Sequence, residues 1–482
     1  MLFMGIDVGT QGVRAIVSDS KGGVVAEASC NFSVLNITDK PRCYEQRPLD
    51  WWNAAVNVLR NCTAQLKEKN RKPEEIVSLA IDGTSGTILA IDENGQALTD
   101  GIMYNDMRSE VQTAAVHEVA GAHEQKLGLR FNASFSLCKL LWLRDEQPEI
   151  FKKAWKIIHQ TDYIVGKLCG CYDVTDYSNA LKTGYDLVDE KWPSFFDKLG
   201  VDSRKLPRVE APGSPIAPVN SWAAELTGLS PRTMVVSGAT DGYASALSVG
   251  AVNTGNWASI IGTTFVLKGV SDKIIIDPTG ASYCHKLPGD LWLTGGASNV
   301  GGKCLNQRFD PSRFAELDQH AAVLAPTGVL IYPLTGVGER YPFVDQQAKE
   351  FIIGNAEDEH ILFTALMEGV GYTERLAFHL AEQSGCPVGP GIYTTGGACR
   401  SPVWLQIRAD ILNKKLLLPQ TVGAAMGAVL LAASRTGFSS LKDAAEQMVR
   451  IQKTIEPRNN AAQRYQSLYG QFFDACRERF AL

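Results

Sequence analysis

The first seventeen residues place an acidic side chain and a glycine-rich turn between two apolar runs. The first run, 1–6, leads into Asp7, and the second run spans Val13–Val17. The turn between them contains Gly9, Thr10, Gln11 and Gly12. This pattern predicts a β-hairpin whose bend approaches a ligand closely, because glycine tolerates tight backbone paths and successive N–H groups form a concave anion site.

Asp7 would lie at the mouth of that anion site. A carboxylate beside phosphate oxygens is repulsive unless a divalent cation lies between them, so the arrangement predicts that Asp7 serves Mg²⁺. Taken alone, the stretch is equally compatible with an ordinary hairpin that carries an acidic strand residue. Neither the dinucleotide fingerprint G-x-G-x-x-G nor the P-loop pattern G-x-x-x-x-G-K-[ST] occurs in the chain.

The length and composition limit the classes of protein that the chain can belong to. A chain of 482 residues is too long for one ordinary core, so we predict two domains, 1–245 and 246–482. The net charge of −5 and the lack of a basic tract argue against a nucleic-acid partner. Asp7 interrupts the N-terminal apolar run, no run reaches the length of a membrane span, and the 11 cysteines form no C-x-x-C pair. We therefore expect a cytoplasmic protein with reduced thiols that does not bind membranes.

The order of predicted elements indicates an α/β fold. The hairpin is followed by a third strand at 24–32, an amphipathic helix at 51–69 and a buried strand at 76–81. A strand, Gly-Thr turn and strand recur at 257–267. We predict two ribonuclease-H-like domains of the actin-type ATPase kind, which flank a central cleft.

Four turns carry a resemblance to a known family. They are Asp7 with Gly9–Gly12; Thr240-Asp241-Gly242; Gly262-Thr263-Thr264; and Gly396-Gly397-Ala398 followed by Ser401 and Trp404. In this order and at these separations they resemble the FGGY carbohydrate kinases, over nearly the whole chain.

The resemblance implies a role for each turn, with ATP as co-substrate and Mg²⁺ as cofactor. Gly9, Thr10, Gln11, Gly12, Gly262, Thr263 and Thr264 would bind phosphate, and Gly396, Gly397, Ala398, Ser401 and Trp404 would bind the nucleotide. Asp241 would accept the proton of the attacking sugar hydroxyl, and Asp7 would hold Mg²⁺. A helix N-cap is the alternative for Asp241, and a buried position on an amphipathic helix is the alternative for Trp404.

Further segments, including 81–87 and 176–182, look like the D-ribulose kinase (xylulokinase-like) branch. The expected substrate-binding residues are Thr84, Ser85, Asp106, Arg108 and Asp241. Ser85 falls where many xylulokinases carry histidine. Two features depart from the branch: Ser401 replaces an asparagine, and Asp106 with Arg108 follows the pattern of xylulokinases and glycerol kinases. Asp106 and Arg108 also have a plainer interpretation as a surface ion pair.

The expected activity is transfer of the γ-phosphate of ATP to a terminal hydroxyl of a ketopentose. The favoured acceptor is D-ribulose, which would give D-ribulose 5-phosphate. D-Xylulose or another pentulose or polyol is the alternative substrate. An actin- or chaperone-like ATPase that binds a protein partner is the alternative from another class. We expect a small-molecule sugar as the partner and a monomer or homodimer as the assembly.

Overall fold

The computed structural model describes residues 1–480 and residue 482. The strands before residue 253 are β1 Leu2–Val8, β2 Gly12–Asp19, β3 Val24–Asn31, β4 Glu45–Gln46, β5 Ile76–Gly83, β6 Ile88–Ile91, β7 Gly101–Ile102, β8 Lys156–His159, β9 Val174–Asp176, β10 Arg208–Glu210, β11 Pro215–Pro218 and β12 Met234–Thr240. The helices of this part are α1 Pro48–Glu68, α2 Gln112–Leu127, α3 Ser136–Glu146, α4 Pro148–Lys153, α5 Gln160–Cys169, α6 Tyr177–Thr183, α7 Phe195–Lys198, α8 Ser221–Thr227 and α9 Asp241–Ser248.

The later strands are β13 Trp257–Ile261, β14 Phe265–Ser271, β15 His285–Lys286, β16 Trp292–Ala297, β17 Leu330–Tyr332, β18 Phe351–Ile353, β19 Gly391–Thr395, β20 Lys415–Pro419 and β21 Ile451–Ile455. The later helices are α10 Lys303–Asn306, α11 Phe314–Leu324, α12 Glu359–Gln383, α13 Pro402–Leu412, α14 Ala424–Ala433, α15 Leu441–Met448 and α16 Asn459–Arg479. Among the described residues, no helix combines the length and the apolar character that crossing a bilayer requires.

The chain divides into two compact units that are not continuous in sequence. Unit 1 contains Met1–Val252, His285–Asp290 and Thr421–Arg450, and unit 2 contains the remaining described residues. This differs from the predicted division at residue 245, chiefly because 421–450 belong to unit 1. The physical reason is that helix α14 packs on strands β1 and β5 and on helix α9, all of which lie in unit 1.

The central sheet of unit 1 has the strand order β11-β12-β5-β1-β2-β3. Strands β1 and β2 form the predicted antiparallel hairpin, from the pair Leu2–Asp19 to the pair Val8–Val13. Strand β5 runs parallel to β1, and β12 runs parallel to β5. The carboxyl ends of β1, β5 and β12 therefore lie at one edge of the sheet.

The two faces of this sheet are buried by different kinds of helix. Leu2, Met4 and Ile6 alternate along β1 and join one apolar cluster with Trp51 and Leu59 of helix α1. Helix α14, which consists mainly of alanine and other apolar residues, packs on the opposite face. A Cβ atom on Gly5 of β1 would lie 1.9 Å from the carbonyl oxygen of Ala425. Only glycine therefore allows the backbones of β1 and α14 to approach this closely.

Unit 2 repeats the same strand pattern. Strand β14 is antiparallel to β13, β16 is antiparallel to β14, and β19 and β20 continue the sheet in parallel with β13. The order β16-β14-β13-β19-β20 thus reproduces β3-β2-β1-β5-β12 of unit 1. The predicted α/β class with two actin-like units is confirmed, including the second hairpin at 257–267.

A buried ion pair joins two helices to two strands of unit 2. Glu374 of α12 and Arg408 of α13 are fully buried and form two hydrogen bonds of 2.9 Å. Arg408 also donates to Ser259 Oγ of β13 at 3.1 Å and to Thr394 Oγ1 of β19 at 3.0 Å. Nε and Nη2 of Arg408 are therefore paired, whereas Nη1 makes no hydrogen bond with the described residues. Through its charge pair and these bonds the cluster ties β13 to β19.

Removing the charge of Glu374 should destabilise unit 2 strongly. The Glu374→Gln variant leaves the buried guanidinium without a counter-charge, and we expect the free energy of unfolding to fall by roughly 3–5 kcal/mol. The matched control is Glu350→Gln, which weakens a partly exposed pair with Arg308 and should cost no more than about 1 kcal/mol. Denaturant unfolding followed by circular dichroism measures both. Equal losses in the two variants would contradict the assigned role of the buried pair.

Candidate active site

Three carboxyl groups meet at the carboxyl edge of the sheet in unit 1. Asp7 of β1 is the register partner of Asp82 of β5. Thr240 of β12 pairs with Gly83, the residue after Asp82, and Asp241 follows Thr240 directly. The backbone ladder of three parallel strands therefore sets the spacing of the three side chains.

The environment of this cluster disfavours negative charge. Asp82 is fully buried, and burial, together with the neighbouring charges of Asp7 and Asp241, raises its pKa well above the ordinary value. Burial also raises the pKa of Asp7. Burial raises the pKa of Asp241 to about 6, while the hydrogen bond from Gly242 acts in the opposite direction. These shifts follow from burial and from the like charges that the three strand ends bring near one another.

Asp241 is held by the end of strand β12 and the start of helix α9. The backbone N–H of Thr240 donates to Ser178 Oγ at 2.8 Å, and Ser178 Oγ donates to Asp176 Oδ1 at 2.5 Å. Asp241 Oδ1 accepts the N–H of Gly242 at 2.6 Å. The N-cap position of α9 belongs to Thr240, so Asp241 is the first helical residue and not the cap.

Lys182 of helix α6 lies near Asp241 and was missed as a site residue from the sequence. Its positive charge lowers the pKa of Asp241, against the stronger effect of burial. Its Nζ lies 4.0 Å from the ring centroid of Phe135. The segment 176–182 carried the family resemblance, but the proximity of Lys182 to Asp241 depends on how α6 packs near the end of β12.

The first predicted phosphate turn is a tight loop tied to the protein through its carbonyl groups. The N–H of Gly9 donates to the carbonyl of Gly12 at 3.0 Å. Gln46 Nε2 donates to the carbonyl of Thr10 at 2.9 Å, and the N–H of Phe32 donates to the carbonyl of Gln11 at 2.9 Å. Carbonyl groups directed into the protein are what a turn needs if it is to offer N–H groups to an anion.

A cavity of about 500 Å³ borders Asp7 within unit 1. Arg14 and Ser29 line it from the hairpin side, and Gly423 and Ala424 line it from the start of helix α14. The guanidinium of Arg14 and a helix N-terminus thus lie near Asp7, but Glu27 also lines the cavity, so groups of both charge signs face it.

The second predicted phosphate turn connects β13 to β14 in unit 2. The N–H of Gly262 donates to the carbonyl of Thr264 at 2.9 Å. The carbonyls of Gly262 and Thr263 accept the N–H groups of Gly302 and Lys303 at 2.8 and 3.1 Å. The side chain of Thr263 is exposed, so its hydroxyl is accessible to a ligand.

The predicted nucleotide loop lies directly against this turn. Gly396 has a φ of 100°, and a Cβ atom there would lie 2.4 Å from the carbonyl oxygen of Ile261. Glycine is therefore required at this position both by its backbone conformation and by the close contact. Gly397 and Ala398 begin the short helical turn that follows.

Ser401 and Trp404 have structural partners at the start of helix α13. Ser401 Oγ accepts the N–H of Trp404 at 2.9 Å and so caps the helix. Trp404 is only 5% exposed, and its Nε1 donates to the carbonyl of Met367 at 3.1 Å. The indole thus packs in the core below the loop, as the alternative interpretation of an amphipathic helix had it.

The predicted sugar-binding residues differ in how far the protein satisfies them. Thr84 Oγ1 bonds to Thr87 Oγ1 at 2.7 Å and to Gln160 Oε1 at 2.8 Å. Ser85 Oγ, by contrast, is buried and has no hydrogen-bond partner among residues 1–480 and 482. Asp241 and Ser85 therefore remain the two of these side chains that offer a polar group to a ligand.

Asp106 and Arg108 are engaged with each other and with the surrounding chain. Asp106 is fully buried and accepts the N–H of Tyr44 at 2.6 Å. The Arg108 guanidinium contacts Asp106 at 2.8 Å and Glu45 at 2.6 Å, and it lies 4.8 Å from the ring centroid of Trp142. This cluster is a buried ion-pair network and not the surface pair considered as the plainer alternative.

Comparisons with known proteins identify the family of this chain. The N-terminal domain profile of the FGGY family of carbohydrate kinases matches residues 2–248, and its C-terminal domain profile matches residues 258–435. A xylulose kinase of Bacillus subtilis is 27% identical over 97% of this chain and 95% of its own length. A gluconokinase of the same organism is 28% identical over 98% of this chain and 95% of its own length.

A solved structure of similar shape supports the same grouping. The xylulose kinase of Rhodospirillum rubrum matches with a TM-score of 0.87 and 25% identity over 99% of both chains. The family profiles together cover most of the chain, and they fall on the units that carry Asp7, Asp241 and the Gly262 turn. The chain therefore belongs to the FGGY family of carbohydrate kinases and is an ATP-dependent sugar kinase.

Proposed function

We propose that this kinase transfers the γ-phosphate of ATP to the terminal C5 hydroxyl of a ketopentose, with D-ribulose preferred. The observation that carries the proposal is the position of Asp241, a carboxylate at a strand end whose pKa responds to the neighbouring charge of Asp7. The preceding residue, Thr240, pairs with Gly83, and the unsatisfied hydroxyl of Ser85 follows Gly83 by two residues. Asp241 accepts the proton of the attacking hydroxyl as its oxygen bonds to the γ-phosphorus and becomes the phosphate ester oxygen. The bond from the γ-phosphorus to the β,γ-bridging oxygen breaks at the same time, and ADP leaves with that oxygen and its electron pair.

Asp7 and its neighbours suit Mg²⁺. The carboxyls of Asp7, Asp82 and Asp241 share one sheet edge, and each has a raised pKa because burial opposes its charge. We assign the cation to Asp7, because the carboxylate of Asp7 borders the cavity whereas Asp82 is fully buried. When bound, Mg²⁺ neutralises phosphate charge beside these carboxylates. The N–H of Gly9 is bonded to the carbonyl of Gly12, so other N–H groups of the turn at 9–12 would orient the phosphate oxygens.

The preference for D-ribulose rests on Ser85. Its hydroxyl is shorter than the imidazole that many xylulokinases carry there, and it can donate one hydrogen bond and accept others. Compared with an imidazole, it therefore leaves more space and directs its hydrogen bond differently beside the carbon at which D-ribulose and D-xylulose differ. The xylulose kinase and gluconokinase relatives keep D-xylulose and other acceptors as the alternatives.

Replacing the proposed base should abolish most of the activity without disturbing the fold. Asp241→Asn keeps the side-chain shape and cannot accept the substrate proton, so we expect kcat to fall by about two to four orders of magnitude while ATP binding is retained. Asp202→Asn alters an exposed carboxylate of the same unit and is the matched control. A folded Asp241→Asn variant with near-normal kcat would exclude Asp241 as the base.

Removing the proposed metal ligand should affect the cation and not the sugar. For Asp7→Ala we expect weaker Mn²⁺ binding by electron paramagnetic resonance, a higher Mg²⁺ requirement and a large loss of turnover. Sugar binding without nucleotide, measured by calorimetry, should change little. A large loss of sugar affinity in this variant would show that Asp7 serves the sugar instead.

The identity of the sugar is tested by comparing acceptors in one coupled ADP-release assay. We expect kcat/KM for D-ribulose to exceed the values for D-xylulose, L-ribulose, ribitol and gluconate, because a buried polar group left unpaired penalises the wrong acceptor. Ser85→Ala should reduce the preference for D-ribulose. A tenfold or larger advantage for D-xylulose would refute the argument from Ser85 and leave the kinase activity intact.

A further inference from the structure

Lys139 is a fully buried lysine in helix α3 of unit 1. Its Nζ donates to the carbonyl of Ser134 at 2.9 Å, to the carbonyl of Gly86 at 3.0 Å and to the carbonyl of Tyr104 at 3.4 Å. Three acceptors match the three N–H donors of an ammonium group. These carbonyls come from three separate loops, so one side chain joins segments that are distant in sequence.

Joining the loops through a buried ammonium group carries a desolvation cost. Burial lowers the pKa of Lys139 to about 7, while the charge of Asp106 acts in the opposite direction. An apolar side chain of similar length would avoid this desolvation cost but would remove the donor that the three carbonyls share. The hydrogen bonds of Lys139 therefore fix the orientation of backbone carbonyls in all three loops, which apolar packing would not do.

Two of the three loops carry an unsatisfied polar atom, and the third carries an aromatic ring that contacts a charged side chain. Gly86 follows Ser85, whose hydroxyl is unsatisfied within the described part of the chain. Tyr104 precedes Asn105, whose buried Oδ1 is likewise without a partner among the described residues. Ser134 precedes Phe135, whose ring lies 4.0 Å from the Nζ of Lys182.

We propose that Lys139 is a positioning residue for the sugar: it holds the loops of Ser85, Asn105 and Phe135 in one arrangement and thereby sets the affinity for the acceptor without contacting it. This inference rests on the proposed function in one respect, that Ser85 faces the sugar. Phe135 also contacts Lys182, whose positive charge acts on Asp241.

The competing interpretation is a lysine that only stabilises the fold. That role would lower the melting temperature of a Lys139 variant and leave the KM values of the folded enzyme unchanged. A positioning role would instead raise the KM for the sugar in folded enzyme while the KM for ATP stays constant. The split between the two KM values therefore separates the alternatives.

The test compares Lys139→Met with Lys156→Met in the full-length enzyme. Lys156 also donates to two backbone carbonyls of unit 1, those of Arg204 and Leu206 at 2.8 Å, and its contacts are with other loops. The acceptor is whichever sugar wild-type enzyme phosphorylates best. For Lys139→Met we expect the KM for that sugar to rise roughly tenfold to a hundredfold, since loops displaced by about 1 Å lose productive contacts.

The same experiment includes Lys139→Arg and Lys139→Ala, so that the inference is tested even where the methionine variant does not fold. A planar guanidinium does not fit three converging carbonyls, so the arginine variant should also show a raised KM for the sugar. Added n-propylammonium should recover sugar affinity in Lys139→Ala. Unchanged sugar KM in folded Lys139→Met or Lys139→Arg would overturn the proposal.

Failure of the proposed function gives a different result. If Ser85 does not face the sugar, Ser85→Ala leaves acceptor preference unchanged in the wild-type background. If D-ribulose is the wrong acceptor, the wild-type comparison of sugars shows it directly. In both cases the ratio of sugar KM between Lys139→Met and wild type still reports on Lys139.

Discussion

The active site of this kinase depends on the parallel pairing of β1, β5 and β12. Backbone hydrogen bonds fix the register at which these strands end, and the carboxyls of Asp7, Asp82 and Asp241 come to the same edge as a result. Charges gathered in this way are unfavourable in a buried setting, and the raised pKa of each carboxyl reflects that cost. In the proposed function, a cation at Asp7 and the proton that Asp241 accepts would both reduce this cost.

Unit 2 uses the same topology for a different chemistry. Its equivalent strands β13 and β19 carry glycine-rich turns where unit 1 carries carboxylates, and Gly396 contacts the end of β13 closely. The buried pair of Glu374 and Arg408 reaches both strands through Ser259 and Thr394. Rigid strand ends of this kind allow turns of small residues to keep a defined shape, which backbone N–H donors require if they are to bind phosphate.

The features that the sequence predicted are those that local patterns determine. The hairpin around Asp7, the helix at 51–69 and the second hairpin at 257–267 each follow from short apolar and glycine patterns, and the structure contains them with ends shifted by a few residues. Asp82, Lys182 and Lys139 were not predicted as site residues, because their roles depend on strand pairing and helix packing between distant segments. The placement of 421–450 in unit 1 was missed for the same reason.

Polar residues around the proposed sugar position fall into two groups, and the difference explains how selectivity can arise. Thr84, Asp106 and Arg108 are satisfied within the protein, so each holds its segment in place. Ser85 and Asn105 retain atoms without a partner in the described part of the chain. Unsatisfied buried groups discriminate only when they are held still, since a mobile hydroxyl can follow the wrong sugar and recover its hydrogen bond. The satisfied residues therefore contribute to selectivity by denying that freedom to the unsatisfied ones.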